Sequence, residues 1–341
     1  MQVFRALRRR PVATFTTTAV TGGTCYAYYV EHNANKKGSA VEGRIPREYD
    51  RDAIAEYWKQ RPISVISRVA TIGYEFIPIL SNYVIDFKIR DNLQDDIRQE
   101  KYMSHATKLR QALTTLGPAF IKFGQQLSIR PDLLPDSVLK ELQKLCDSVE
   151  PIPDAIAMQT IQQELGQDTL DKYLLHPSKK MELVAAASLG QVYKATLRSG
   201  KQVAIKVQRP DMVEKVSLDM FLLNQYGLFL DTVFAVLTQQ IPFHVDFIDC
   251  FARASFEELD YEKEAANQVF FKQEFKKRKC RVHIPQVYKE LTSRRVICSE
   301  WIDGVKLADA DQETIRRLIP VGVELFMTQL LDIGAFHADP Q

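Results

Sequence analysis

The sequence predicts an α+β fold, on three observations. Residues 50–115 read as helix almost throughout, residues 181–207 turn abruptly to small and β-branched residues, and helical texture returns from residue 211. A helical front, a small sheet with one long helix and a closing helical piece do not make the regular alternation of a parallel α/β chain. At 341 residues there is room for about two domains. A chain 45% hydrophobic and 26% charged has the composition of a folded protein.

Residues 1–30 hold Arg5, Arg8, Arg9 and Arg10 and no acid. The Arg- and Thr-rich opening MQVFRALRRRPVATFTTTAVTGG has the make-up of an organelle transit peptide. Residues 11–30 carry no charge and just suffice to cover a bilayer core, so a weak membrane anchor is the competing reading. A mitochondrial, inner-membrane-associated address is expected, with a plastid as the alternative. Residues 31–48 read as a polar linker, 49–150 as a helical extension and 151–341 as a second domain. The net charge of +2 gives no reason to expect a nucleic-acid partner. Cys25, Cys146, Cys250, Cys280 and Cys298 show no CxxC spacing and the six histidines are isolated, so neither a disulfide framework nor a metal site is expected.

Along the extension, Pro118 is well placed to open a helix over AFIKFGQQLSI, with Phe120, Phe123, Gly124 and Leu127 as its apolar stripe. Asp136 and Ser137 are the expected caps of the helix that follows RPDLLP. Ser199-Gly200 is the turn of a hairpin within 181–207. Residues 245–277 read as one long acidic helix, 284–300 as a second pair of strands, and Asp311 as the cap of a helix that ends at Pro320 before another begins.

The chemistry concentrates in a few segments. In VAIKV (203–207), strand alternation sets Val203, Ile205 and Val207 on one face and Ala204 with Lys206 on the other. A small Ala beside a fixed lysine leaves room for a flat ligand next to a positive charge, as in protein kinases; an edge-strand lysine facing water is the plainer alternative. Upstream, Ala185, Ala186, Ala187 and Ser188 occupy the place of a phosphate-binding loop. Small residues admit backbone N–H groups to phosphate, but alanines tolerate positive φ less well than glycines, so a stiffer loop is expected. The run EELDYEKE (257–264) places Asp260 and Glu264 four apart on one helix face. Glu258 and Glu264 come out roughly 120° apart at 3.6 residues per turn, which implies two separate tasks or a merely solvated acidic face. Lys122 with Gln125 forms a polar stripe that suits an ordinary surface equally well. Asp339 in FHADPQ stands in the order expected of a catalytic base.

Together these segments resemble the UbiB, or ADCK, family of atypical kinases. The matching residues are GPAFIKFGQQLSIRPDLLP, AAASLGQVYKA, VAIKVQRP, EELDYEKEAAN, SEWIDG and FHADP, in order over roughly residues 50–341. The resemblance implies a protein-kinase-like fold binding ATP. It implies that Lys206 pairs with Glu264 and that Ala185 to Ser188, Ala204 and the hinge residue Glu300 contact the nucleotide. It also implies that Asp339 is the catalytic base and that Lys122, Gly124, Gln125, Glu258 and Asp260 regulate access to the cleft. Prenyl-quinone lipid metabolism, ubiquinone above all, is the implied setting. Mg2+ is implied for the family, yet its ligands follow the ADP segment and the sequence stops at Gln341, so this chain is expected to be a truncated form with little or no phosphoryl transfer. Ile315, Leu318, Ile319, Leu325, Phe326, Leu330 and Ile333 are then expected to expose an apolar face. A non-catalytic adaptor, bound to nucleotide or to anionic membrane through the basic run FKKRKCR, is the competing function.

Overall fold

The computed structural model describes residues 45–89, 95–132, 134–146, 150–175, 181–238, 241–305 and 307–336. Residues 1–30, where a targeting segment is expected, and Asp339 lie outside them. The chain divides into two units, the first built from residues 1–149 and 211–256 and the second from 150–210 and 257–341.

The first unit is helical: α1 (Arg51–Lys59), α2 (Pro62–Val84), α3 (Asp95–Leu116), α4 (Pro118–Ser128) and α5 (Asp136–Gln143), later joined by α8 (Met212–Leu237) and α9 (His244–Glu257). Its core gathers Leu113, Leu116, Phe120, Ile121, Leu142 and Leu145. On α4 the buried residues are Ala119, Phe120, Ile121, Gly124 and Ser128, so the inward stripe is turned from the expected one, and Phe123 instead meets the Phe251 ring edge-on. Asp136 and Ser137 do not cap α5. Extended Pro135 takes that position and its carbonyl accepts the first helical N–H groups, leaving Asp136 to favour the positive helix end by charge. Arg68 on α2 donates to buried Asp219 on α8 at 2.7 Å and to the Leu116 carbonyl.

The second unit holds α6 (Asp154–Leu165), α7 (Gln167–Tyr173) and an antiparallel sheet of β1 (Glu182–Ala186), β2 (Gly190–Thr196), β3 (Gln202–Gln208) and β4 (Val296–Glu300), paired in sequence order. It also holds α10 (Tyr261–Lys277) and α11 (Gln312–Met327). The β2–β3 turn is the expected one, with Gly200 at φ 84, a region that glycine enters without a Cβ penalty. Val203, Ile205 and Val207 are fully buried with Tyr193, Val296 and Cys298 against Ala157, Ile161 and Leu170 of α6 and α7. The other sheet face packs Ile297 on Tyr261 and Ala265 of α10.

Three further expectations are corrected. Residues 245–277 form two helices, α9 and α10, because the chain breaks at Glu258–Asp260 and Asp260 caps the second. Residues 284–300 supply one strand, not two: before β4 there are single bridges from Val287 and Ser293 around a 3-10 turn. Helix α11 runs through Pro320 to Met327. A proline there removes one N–H from the ladder, but the carbonyl it orphans belongs to exposed Arg316, where water serves. Of the apolar residues in this region, Leu318, Ile319, Phe326 and Leu330 are exposed, while Ile315, Leu325 and Ile333 are partly covered.

Candidate nucleotide site

The site is assembled at the end of β3. Lys206 lies between Val192 on β2 and Ile297 on β4, on the sheet face that meets α10. One turn into that helix Glu264 receives the Lys206 ammonium on both oxygens, at 2.7 and 2.9 Å. The ammonium also stands 4.5 Å from the centre of the Tyr261 ring, a cation–π contact. The lysine and glutamate side chains keep 34% and 41% of their surface open, so the pair is fixed from below and reachable from above.

Tyr261 drew no attention in the sequence. It follows the cap Asp260 directly and is completely buried, with a hydroxyl that lacks a hydrogen-bond partner. Burial first, then the Glu264 and Glu258 charges, push its phenol well above the ordinary range. It therefore serves as a neutral aromatic platform.

Asp260 is extended at φ −109 and its carboxylate accepts from the Glu262 and Lys263 N–H groups. It is a helix cap and does not share a helical face with Glu264; Glu258 lies in the turn before it. The acidic residues Glu262 and Glu264 in the first turn were the signal of a helix start. Gln208, buried at the end of β3, donates to the Leu259 carbonyl at 2.9 Å and so ties this turn to the sheet.

Ala185 and Ala186 belong to β1, and Ala187 and Ser188 form the turn into β2, closed by the Ala187 N–H on the Gly190 carbonyl. None of the alanines has positive φ. Arg209 clamps the turn: its guanidinium donates to the Ala187 carbonyl at 3.0 Å and its N–H to the Leu189 carbonyl. Gly190 is required by proximity, since a Cβ there would fall 2.4 Å from the Val207 carbonyl oxygen and 2.6 Å from the Tyr261 hydroxyl.

Ala204 lies on the Lys206 face, between Lys194 and Ser299. Glu300 pairs with Val203 instead, and its carboxylate accepts the Gln286 N–H and meets the His283 ring, which hold it below the usual carboxylate range. Glu300 is thus not gathered with Lys206 through its side chain. Lys122, Gly124 and Gln125 lie on α4 in the first unit, where the Gln125 amide donates to the Leu145 carbonyl and Gly124 packs under Leu113 and Leu145. In the basic run, Lys277 and Arg278 are held by Glu274 on their own helix.

Residues 144–341 match the ABC1 atypical kinase-like domain. The chain is 36% identical over 299 residues to an uncharacterised Synechocystis protein, sll0005, covering 86% of this chain and 42% of that one. It is 35% identical over 317 residues to the chloroplastic Protein ACTIVITY OF BC1 COMPLEX KINASE 3 of Arabidopsis thaliana, covering 91% and 42%. It is 33% identical over 242 residues to a Probable protein kinase UbiB of Cellvibrio japonicus, covering 70% and 43%. The chain spans less than half the length of these three relatives.

Proposed function

This chain belongs to the ABC1 atypical kinase-like family and has its α+β, kinase-like fold, and from that premise we propose that the second unit holds ATP for a UbiB-type kinase or ATPase. The observation that carries this reading is the Lys206–Glu264 pair, bidentate, half open and seated on Tyr261 beside the alanine turn. In this reading Lys206 binds the nucleotide phosphates, Ala204 gives the base a flat floor, and the turn from Ala185 to Ser188 borders the phosphates with a geometry set by Arg209. Asp339 is assigned the base that accepts the acceptor's proton. Lys122, Gly124 and Gln125 are assigned control of the cleft, with Glu258 and Asp260. Mg2+ is expected to accompany the nucleotide; among the described residues no group of three or more His, Cys, Asp or Glu is arranged to hold a metal, and no step is assigned to it.

The acceptor is a small molecule of prenyl-quinone metabolism in this proposal, supported by the UbiB names of two bacterial relatives. A plastid address is favoured over a mitochondrial one, because four Arabidopsis relatives are named chloroplastic; imaging of a fluorescent fusion to residues 1–48 checks it.

The direct test is thermal unfolding with and without ATP. Binding to the folded state alone stabilises it by about 2.7 kcal/mol at a hundredfold excess over Kd. The wild-type midpoint should rise with ATP, and Lys206→Ala should abolish the rise. A wild type indifferent to ATP overturns the reading.

A further inference from the structure

The residues that end β3 alternate across the sheet. Val207 is buried in the core with α6 and α7. Gln208 turns to the Lys206 face, where it donates to the Leu259 carbonyl just ahead of α10. Arg209 comes next and returns to the α6 side. There its Nη2 donates to the Glu150 carbonyl at 2.6 Å, on the stretch that leads into α6. Its Nε donates to the Ala187 carbonyl at 3.0 Å. One planar guanidinium thus joins the alanine turn to the entry of the second unit.

Residues 150–154 are themselves fastened to β2. Gln191, 1% exposed, accepts the Ile152 N–H at 2.9 Å and donates to the Ile152 carbonyl at 3.3 Å. The Tyr193 hydroxyl donates to Asp154 at 3.0 Å. Gln191 pairs with Val207 and Tyr193 with Ile205, so both hold this stretch from the α6 side, where Arg209 also lies. The turn it clamps has no geometry of its own to fall back on. Ser188 and Leu189, between Ala187 and Gly190, lack the positive φ that the primed two-residue hairpin turns require.

A trans peptide is planar, and its C=O and N–H point in opposite directions. With the Ala187 carbonyl drawn to Arg209 on the α6 side, the Ser188 N–H of the same peptide is turned to the other side, that of Lys206. We propose that Arg209 is a positioning residue for phosphate binding: braced on residues 150–154, it fixes the Ala187–Ser188 peptide so that the Ser188 N–H donates to the phosphates that Lys206 neutralises. This role rests on the reading of the second unit as an ATP site, and it adds the backbone donor and the side chain that orients it. A backbone N–H in a turn of small residues suits a phosphate oxygen. Fixing it before the ligand arrives removes an ordering cost from binding.

The test is calorimetric titration of the full chain with ATP and, separately, with adenosine, which lacks the phosphates. Arg209→Gln should weaken ATP about tenfold or more, the worth of one hydrogen bond to a charged group, and leave adenosine affinity as in wild type. Equal loss of both ligands would make Arg209 a merely structural clamp and overturn the role. Arg209→Lys keeps the charge without the rigid fork and should recover only part of the ATP affinity; full recovery would reduce Arg209 to a source of charge and overturn it too. Should Arg209→Gln fail to fold, Ser188→Pro decides, because it deletes the N–H and leaves the clamp in place. It should lose ATP and keep adenosine, and Ser188→Ala, which retains the N–H, should bind ATP more tightly than it does. If the alanine and proline variants are equally weak, the hydroxyl is the donor and the proposal fails. A wild type that binds no ATP overturns the nucleotide reading and this role with it. A wild type that binds ATP while Arg209→Gln and Ser188→Pro bind it equally well overturns this role alone.

Discussion

Lys206 is positioned by contacts of two kinds, an ion pair with Glu264 and the ring face of Tyr261, and the second depends on Tyr261 alone. Because the Tyr261 hydroxyl is buried without a partner, its removal sacrifices no hydrogen bond. Tyr261→Phe should therefore stay within about 1 kcal/mol of wild type or be more stable, while Tyr261→Ala should lose about 3–5 kcal/mol, both read by urea unfolding. A phenylalanine variant as damaged as the alanine one would mean that the hydroxyl is bonded after all. Gly190→Ala presses a methyl on backbone at 2.4 Å, which cannot swing aside as a side chain can. The cost should exceed the usual range of about 1–3 kcal/mol for overpacking and appear as loss of soluble, folded protein. The small residues of AAASLGQ were legible as a turn; the need for glycine at 190 was not, because it arises from Val207 and Tyr261, 17 and 71 residues away.

The decisive feature among the elements is the interruption between α9 and α10. It turns an apparently continuous acidic helix into a cap, a platform and a lysine partner, each one residue type in its own place. Asp260 then works as a hydrogen-bond acceptor at a helix start, where Asn is about as good and Ala is worse by about 1 kcal/mol. Asp260→Asn should melt with wild type and Asp260→Ala below it. If nucleotide affinity drops in the asparagine variant without a change in melting, the charge itself has a role beyond capping. In α2 and α8 the same residues read correctly as helical from sequence. Pairing Arg68 with buried Asp219 is a property of two helices about 150 residues apart. Arg68→Met strands that carboxylate and should cost about 3–5 kcal/mol in thermal unfolding.

For the whole molecule, the helical unit is assembled from two stretches of chain, and residues 211–256 return to it after the first three strands are complete. Its acid sensitivity can be predicted from Glu141, which is 3% exposed and whose carboxyl pKa is lowered, first by the hydrogen bond from Lys144 and then by that from Arg110. A depressed carboxyl pKa contributes stability that is full above the unfolded value and lost as pH falls through the folded one. Melting temperature should thus fall from about pH 4.5 downward, and Glu141→Gln should flatten that acid limb. An unchanged slope in the variant would assign the acid loss to other carboxylates. Buried Cys298, its thiol pushed up to about 12 by burial, should resist alkylation at pH 8 while exposed Cys250 reacts, as peptide mapping would show.

The alternation of VAIKV, the hairpin at Ser199-Gly200 and the ordered small-residue, lysine and carboxylate segments are local patterns, and the sequence by itself determined them. They were enough to indicate the fold class, while the Lys206–Glu264 partnership followed only from the family resemblance that these segments carry. Where the acidic helix breaks, why Gly190 cannot carry a Cβ, how Arg209 and Gln208 fasten the turns and what lies beneath Lys206 were decided by tertiary structure. Each depends on a backbone carbonyl or ring brought close by strands and helices distant in sequence, and no periodicity within one segment records such a neighbour.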